Sequence, residues 1–258
     1  MPEGTTGDSR STHHTKVAHG FLKNTFDTNP EPIEFESFLD LVRNETFQTE
    51  IDDIRNFIME RTALGETIEQ YRPQLAKMKQ KLPGCIPGLL YTGERTHGDL
   101  SRIMCVDYDG VENAPALIEQ MRSLPGGDYL LAAYISVSSK GVAAFYRYDV
   151  AEIEFINKAD KTPDGFGCTT GTPLHQFRHA PKASLGSIME VMEANMLIPP
   201  GVDAAVKDFP RLRFVSTDPN LFYNPSANYL GVKITVENAV PPRCRVPVVT
   251  FTVSLQSE

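Results

Sequence analysis

The chain has 258 residues, enough for one large domain or two small ones, either able to bury a core without covalent staples. Hydrophobic residues make up 41% and charged residues 22%, an ordinary balance for a folded, water-soluble chain. With 25 Lys and Arg against 33 Asp and Glu the net charge is −8, which argues against a simple nucleic-acid-coating protein: any phosphate ligand has to meet a local basic patch.

Residues 1–20, rich in Gly, Ser, Thr and His, read as a mobile tail with no apolar signal core. No apolar run approaches the roughly 20 residues that span a bilayer, so the expectation is a cytoplasmic protein with no membrane partner. From "PIEFESFLDLVRN" through "EIDDIRNFIME" and "IEQYRPQLAKMKQKLP", apolar residues recur at helical spacing, broken by Gly65, Pro73 and Pro83. Residues 21–98 are therefore expected to form a helical layer. The run from Arg72 to Lys81, with Lys77 and Lys79, reads as a solvated helix face that could alternatively line a template path.

The period then changes. "SRIMCVDYD" is a strand candidate, "APALIEQMRSLPGG" a helix with Pro115 in its first turn, and "DYLLAAYISVS" and "GVAAFYRYDV" two strands joined at Ser139, Lys140 and Gly141. "SLGSIMEVMEANML" reads as a helix with Ser184 as a candidate cap, and "RLRFVST" as a fourth strand. The order β-α-β-β-α-β predicts an α+β, ferredoxin- or RRM-like core over 99–228, with an antiparallel sheet under two helices and its other face free for the front layer or a ligand. Residues 149–183 interrupt that pattern as an insertion, and 229–258 read as a β-rich extension of two strands around a Pro-rich turn. Phe145, Tyr146, Phe214 and Val215 alternate as packing residues should.

Cys85, Cys105, Cys168 and Cys244 have no C-x-x-C spacing, so reduced thiols are expected. Cys168, His175 and His179 could offer three metal ligands, although the spacing also suits a solvated loop.

Asp107 and Asp109 are two residues apart on a strand and so project to one face, where two carboxylates repel unless a cation lies between them. Magnesium is commonly held by such a pair together with substrate phosphates; two solvated acids at a strand end are the plainer alternative. "VDYDGVE" also looks like the opening motif of haloacid-dehalogenase-type phosphatases, with Asp107 as nucleophile, but the later lysine and acidic pair of that fold are missing. Two-metal nucleotidyl transfer needs a third carboxylate, and Asp203 supplies one just before the fourth strand, with Lys207, Asp208, Arg211 and Arg213 close in sequence. Arg211 and Arg213 could grip phosphate oxygens or be salt-bridged structural residues.

"FLKNTFDTNP", "KLPGCIPG", "IMCVDYDG", "AAYISVSSKGV" and "VDAAVKDFPRLRFVSTDPNLFYNPSA", in that order, resemble the VirE N-terminal-type domains, a primase-like branch of the archaeo-eukaryotic primase superfamily found in bacteria and their mobile elements. The resemblance spans roughly residues 21–228. It implies a primase palm in which Asp107, Asp109 and Asp203 hold two Mg2+ or Mn2+ ions. It also implies that Ser136, Ser138, Lys140 and Gly141 form a turn near the triphosphate, and that Arg211 and Arg213 are a basic pair beside it. The expected activity is a primase-polymerase-like nucleotidyltransferase in replication of a mobile element or phage, with nucleoside triphosphates, a single-stranded DNA template and a separate helicase, since no G-x-x-x-x-G-K-[ST] loop is present. The sequence departs from the wider superfamily at Ala143, where a histidine usually follows the second-motif glycine, and at Ser139, where glycine usually precedes the lysine. A palm that binds nucleic acid without polymerising is the alternative that departure implies.

Overall fold

The computed structural model describes residues 17–95, 100–157, 188–203, 211–239 and 248–255. The front region is partly helical, as its periodicity predicts. In α1 (Phe35–Arg43) the apolar residues Phe35, Phe38, Leu39 and Val42 fall at i, i+3, i+4 and i+7, and all four are buried. Helix α2 (Gln48–Ala63) buries Ile51, Ile54 and Ile58. Helix α3 (Ile68–Lys79) starts at a capping box, with the Thr67 N–H donating to Gln70 Oε1 at 2.6 Å. Pro73 lies inside α3 rather than breaking it; Pro73 and Glu69, whose carbonyl loses its donor, are both exposed, so water can take the missing N–H's place.

The helical layer also contains strands that were not expected. β1 (Ala18–Leu22), β2 (Glu31–Glu34) and β3 (Gly84–Ile86) are antiparallel, with β1 between the other two. Residues 18–20 therefore belong to a strand rather than to the tail. Their backbone pairs with β2, Gly20 also pairs with β3, and the Ala18 carbonyl accepts from the Tyr91 N–H, which offsets the cost of ordering this polar segment.

The expected split βαβ is present. β4 (Ile103–Asp109) leads through α4 (Ala114–Ser123) and a 3-10 turn (Pro125–Tyr129) to β5 (Leu130–Ile135), and β6 (Gly141–Asn157) inserts antiparallel between β4 and β5. Asn113 caps α4 by accepting from the Ala116 N–H, and Pro115 occupies its first turn. A further helical segment, α5, is described over 188–194. The two faces of the sheet are buried against different elements. Met104, Val106, Tyr108, Ala144 and Tyr146 pack against Ile118 and Met121 of α4 and Met189 and Met192 of α5. Cys105, Ala143, Phe145 and Tyr134 pack against α1 and the small sheet. The front elements thus cover the face that the topology left free.

The fourth core strand differs from expectation. Of "RLRFVST", only β7 (Arg213–Phe214) is a strand, and it pairs with β3 in the small sheet rather than with β4. Gly84 explains the choice: a Cβ there would lie 2.5 Å from the Arg213 carbonyl oxygen, so glycine is what allows β7 so close to β3. β6 also runs on to Asn157, past the expected start of the insertion; residues 158–187 lie outside the described residues, as does Ser184. β8 (Phe222–Tyr223) pairs with β5. β9 (Leu230–Ala239) pairs parallel with the second half of β6 and antiparallel with β10 (Val248–Leu255), the two strands expected in the extension. Among the described residues, no helix is long and apolar enough to cross a membrane.

His19 on β1 is buried, its Nδ1 3.1 Å from the Leu89 carbonyl oxygen and its ring edge-on to Phe35. Burial holds its pKa below the ordinary value, against the opposing pull of the Leu89 and Pro87 carbonyls. The unfolded chain therefore takes up this proton first: the stabilisation is complete above about pH 6.5 and is lost as pH falls through the lowered folded value. The stability difference between wild type and His19→Asn, followed by urea unfolding from about pH 7.5 to about pH 5, is expected to shrink; a difference independent of pH would mean that the ring is not held neutral.

Candidate active site

β4 carries its two aspartates to the rim of the sheet. The strand's inward face on the side of α1 runs Cys105, Asp107, Asp109, and its last residues change from buried to exposed. Asp107 keeps 22% of its side-chain exposure, whereas Asp109 is open to solvent. Between these strands and β7 lies a cleft of about 190 Å3. Six of the expected site residues line it: Asp107, Asp109, Ser136, Asp203, Arg211 and Arg213.

Each arrives by a separate anchor. Asp203 is docked on the end of β4, its N–H donating to the Asp107 carbonyl at 2.9 Å. The loop before it is tied down twice: Tyr108 Oη donates to the Pro199 carbonyl, and Glu193 Oε1 accepts from the N–H groups of Gly201 and Val202. Arg213 is set by β7, which the Tyr134 hydroxyl also grips through the Phe214 carbonyl at 3.1 Å. Ser136 begins the β5–β6 turn, which Asp218 positions by accepting from the Ile135 N–H.

The dominant contact is the ion pair between Arg213 Nη1 and Asp107 Oδ2. Arg213 is 6% exposed, and its Nε has no hydrogen-bond partner among the described residues. Burial raises the Asp107 pKa, Arg213 opposes that, and the neighbouring Asp109 charge adds to it. Arg213 is thus the structural salt-bridge partner of the first aspartate and lines the cleft at the same time. Cys105 Sγ lies 4.0 Å from Asp107 Oδ1, and burial pushes its thiol pKa well up, so it behaves as a small neutral hydrophobe.

The second-motif residues are divided. Ser136 faces the cleft, while Ser138 and Lys140 line a neighbouring groove of about 830 Å3. Ser136 Oγ and Ser138 Oγ are 3.1 Å apart, Lys140 is exposed, and Ser139 adopts φ 59° at the turn. Gly141 sits at the seam: a Cβ there would lie 2.5 Å from the Tyr108 carbonyl oxygen, 2.9 Å from Ser136 Oγ and 3.2 Å from Asp109 Oδ1. Glycine at 141 is required by the strand contact itself.

Lys79, on a run that reads as a solvated face or alternatively as the lining of a template path, lines the cleft from the last turn of α3. Burial lowers its pKa, and Asp109 and Asp107 pull it back up. The signal for this was in the sequence: Lys79 continues the buried stripe of Tyr71 and Leu75 at the next i+4 step. Phe145, Tyr146 and Val215 pack in the core as expected, but Phe214 is half-buried and lines the cleft. Lys207, Asp208, Cys168, His175 and His179 lie outside the described residues.

Three carboxylates and the cations Lys79, Arg211 and Arg213 therefore share one small cleft. Among the described residues, no three His, Cys, Asp or Glu side chains converge as a preformed metal site. The donor chemistry of Asp107, Asp109 and Asp203, oxygen only, nonetheless suits a hard divalent cation, and the adjacent cations suit phosphate.

An α+β domain with a mixed-charge cleft at the open end of a split βαβ sheet is the class that this fold and site define. Residues 77–223, more than half of the chain, match the family model described as BT4734-like, N-terminal domain, and the chain belongs to that family. All of the cleft residues lie inside the matched span. Neither a curated protein nor a solved structure matches the chain.

The Asp107–Arg213 pair makes a direct prediction. Arg213→Met leaves a largely buried carboxylate without its counter-ion and is expected to cost about 3–5 kcal/mol in urea unfolding, while Arg213→Met with Asp107→Leu recovers most of that loss. A coupling below about 0.5 kcal/mol would mean that the pair does not form in solution.

Proposed function

We propose that the chain is a primase-polymerase-like nucleotidyltransferase acting in DNA replication of a mobile element or phage. The observation that carries this reading is the gathering of Asp107, Asp109 and Asp203 with Lys79, Arg211 and Arg213 around one cleft. Acids alone would serve a cation and bases alone an anion; a site holding both suits a metal-bound polyphosphate. The resemblance to the VirE N-terminal-type domains guides the choice of nucleotidyl transfer among the reactions of such ligands.

On this reading Asp107, Asp109 and Asp203 hold Mg2+ or Mn2+, which would lower the pKa of an attacking 3′-hydroxyl and neutralise the leaving pyrophosphate. Arg211 and Lys79 bind phosphate oxygens from the two sides of the cleft. Arg213 orients Asp107 through Oδ2 and opposes the burial that raises its pKa, leaving Oδ1, which has only the Cys105 Sγ contact at 4.0 Å, to turn toward a cation. The Ser136 hydroxyl donates to phosphate at the start of the β5–β6 turn, while Gly141 holds that turn against Asp109. The partners are nucleoside triphosphates and a single-stranded DNA template, with duplex opening left to a separate helicase, and the cellular setting is the cytoplasm.

A second reading, an inert nucleic-acid-binding palm, draws its support from the same ion pair, because Arg213 already neutralises Asp107 without any metal. The phosphatase reading draws less: it needs a parallel sheet around the first aspartate, and β4 is paired antiparallel with β6.

Incorporation of labelled nucleotides on single-stranded DNA, with and without primer and with Mg2+ or Mn2+, separates these readings. Asp109→Asn, an exposed change that leaves the Arg213 pair intact, is expected to lower incorporation at least about a hundredfold. No incorporation by wild type, together with strand binding unchanged in Asp107→Asn/Asp109→Asn, would favour the inert palm.

A further inference from the structure

The cleft is too small for a whole nucleotide. Its 190 Å3 falls below the roughly 300–1,000 Å3 of small-molecule pockets, and it accounts for phosphates and ions only. The groove of about 830 Å3 beside it has the missing volume. The same two turns wall both spaces: Asp109 faces the cleft and Gly110 and Val111 the groove, and Ser136 and Val137 face the cleft while Ser138, Ser139 and Lys140 face the groove.

The third wall is α2, which no motif singled out. Arg55 spends its hydrogen bonds on the protein. Its Nε donates to the Val137 carbonyl at 3.4 Å, Nη1 to Thr217 Oγ1 at 2.9 Å and Nη2 to the Thr217 carbonyl at 3.1 Å. A guanidinium pinned by its edge has only its flat face left for a ligand, and that face suits stacking on a planar ring. Next to it, Ile58 and Val111 give an apolar lining, and Met59, 64% exposed, offers a polarisable thioether of the kind that packs on aromatic rings. Lys140 and the Ser138 hydroxyl supply polar contacts on the opposite wall.

We propose that this groove holds the base and sugar of a nucleotide whose phosphates lie in the adjoining cleft, the base stacking between the Arg55 guanidinium and Met59. This rests on the reading of the cleft as a polyphosphate site. Besides these stacking faces the groove is lined by Thr62, Glu112 and Ser139, side chains that can hydrogen-bond the edges of a base or the hydroxyls of a sugar.

Calorimetry on the full chain in Mg2+, with ATP and with inorganic tripolyphosphate as separate probes, tests it. Met59→Ala and Ala63→Glu both alter exposed groove positions on α2 and preserve helix-forming residues. ATP is expected to bind wild type more tightly than tripolyphosphate. Met59→Ala is expected to weaken ATP about threefold to tenfold, and Ala63→Glu to weaken it further, with tripolyphosphate affinity unchanged in both. Equal affinity for the two probes, or ATP binding unaffected by either variant, overturns the groove assignment and leaves the cleft reading standing. Wild type that binds neither probe overturns both. A single-stranded oligonucleotide that loses affinity in Met59→Ala while ATP does not would assign the groove to a strand and overturn the mononucleotide proposal.

Discussion

The site depends on a buried pair of opposite charges placed where two sheets meet. Asp107 belongs to the large sheet and Arg213 to the small one, and neither charge is tolerable at that depth without the other. Their attraction fixes β7 against the end of β4. The neighbouring peptide N–H of Asp203 uses the Asp107 carbonyl, so one residue of β4 organises both the basic and the acidic segments that follow it 96 or more positions later in the chain. Such long-range closure is entropically costly, and the loop anchors at Tyr108 and Glu193 spread that cost over several hydrogen bonds.

Close backbone approach is the second constraint, and around the cleft it is met by Gly84 and Gly141. Gly84 lets β7 lie against β3, and Gly141 lets β6 begin beneath Asp109 and Ser136. A side chain at either would have to push backbone rather than a flexible tip, so these positions shape the cleft without touching a ligand. On the far wall, Arg55 ties α2 to the β5–β6 turn and to Thr217, which joins the front helices to the rim. The helical layer is thus part of the site's framework as well as a cover for the sheet.

Much of this was legible in the sequence, and what was not has identifiable physical reasons. The i, i+3, i+4, i+7 spacing of Phe35, Phe38, Leu39 and Val42 announced α1, and the apolar run ending in Asp107 and Asp109 announced β4, because both patterns are local. β3 and β7 are three and two residues long, too short for any periodicity, so the choice of β3 as partner for β7 rested on Gly84 and could not be read in advance. Arg213 read equally well as a phosphate ligand or a structural salt bridge; only its burial and the register of β7 give it Asp107. Lys79 is legible only in part: a cation at the end of a helix usually faces water, and only its place on the Tyr71–Leu75 stripe points it toward the cleft.

Ala143 gains meaning from the register. It lies directly across from Asp107 on β6 and on the same face, so its side chain is the carboxylate's nearest cross-strand neighbour. A histidine there would stand beside Asp107 and offer it a donor. Here the donor is the Arg213 guanidinium, and a side chain much larger than alanine at 143 would compete with it for the same wall of the cleft. Ala143 and the buried arginine thus share one wall: the small residue leaves room beside Asp107, and a cation from another strand supplies the carboxylate's hydrogen bond. That donor is a permanently charged group that does not titrate near neutral pH, where a histidine would.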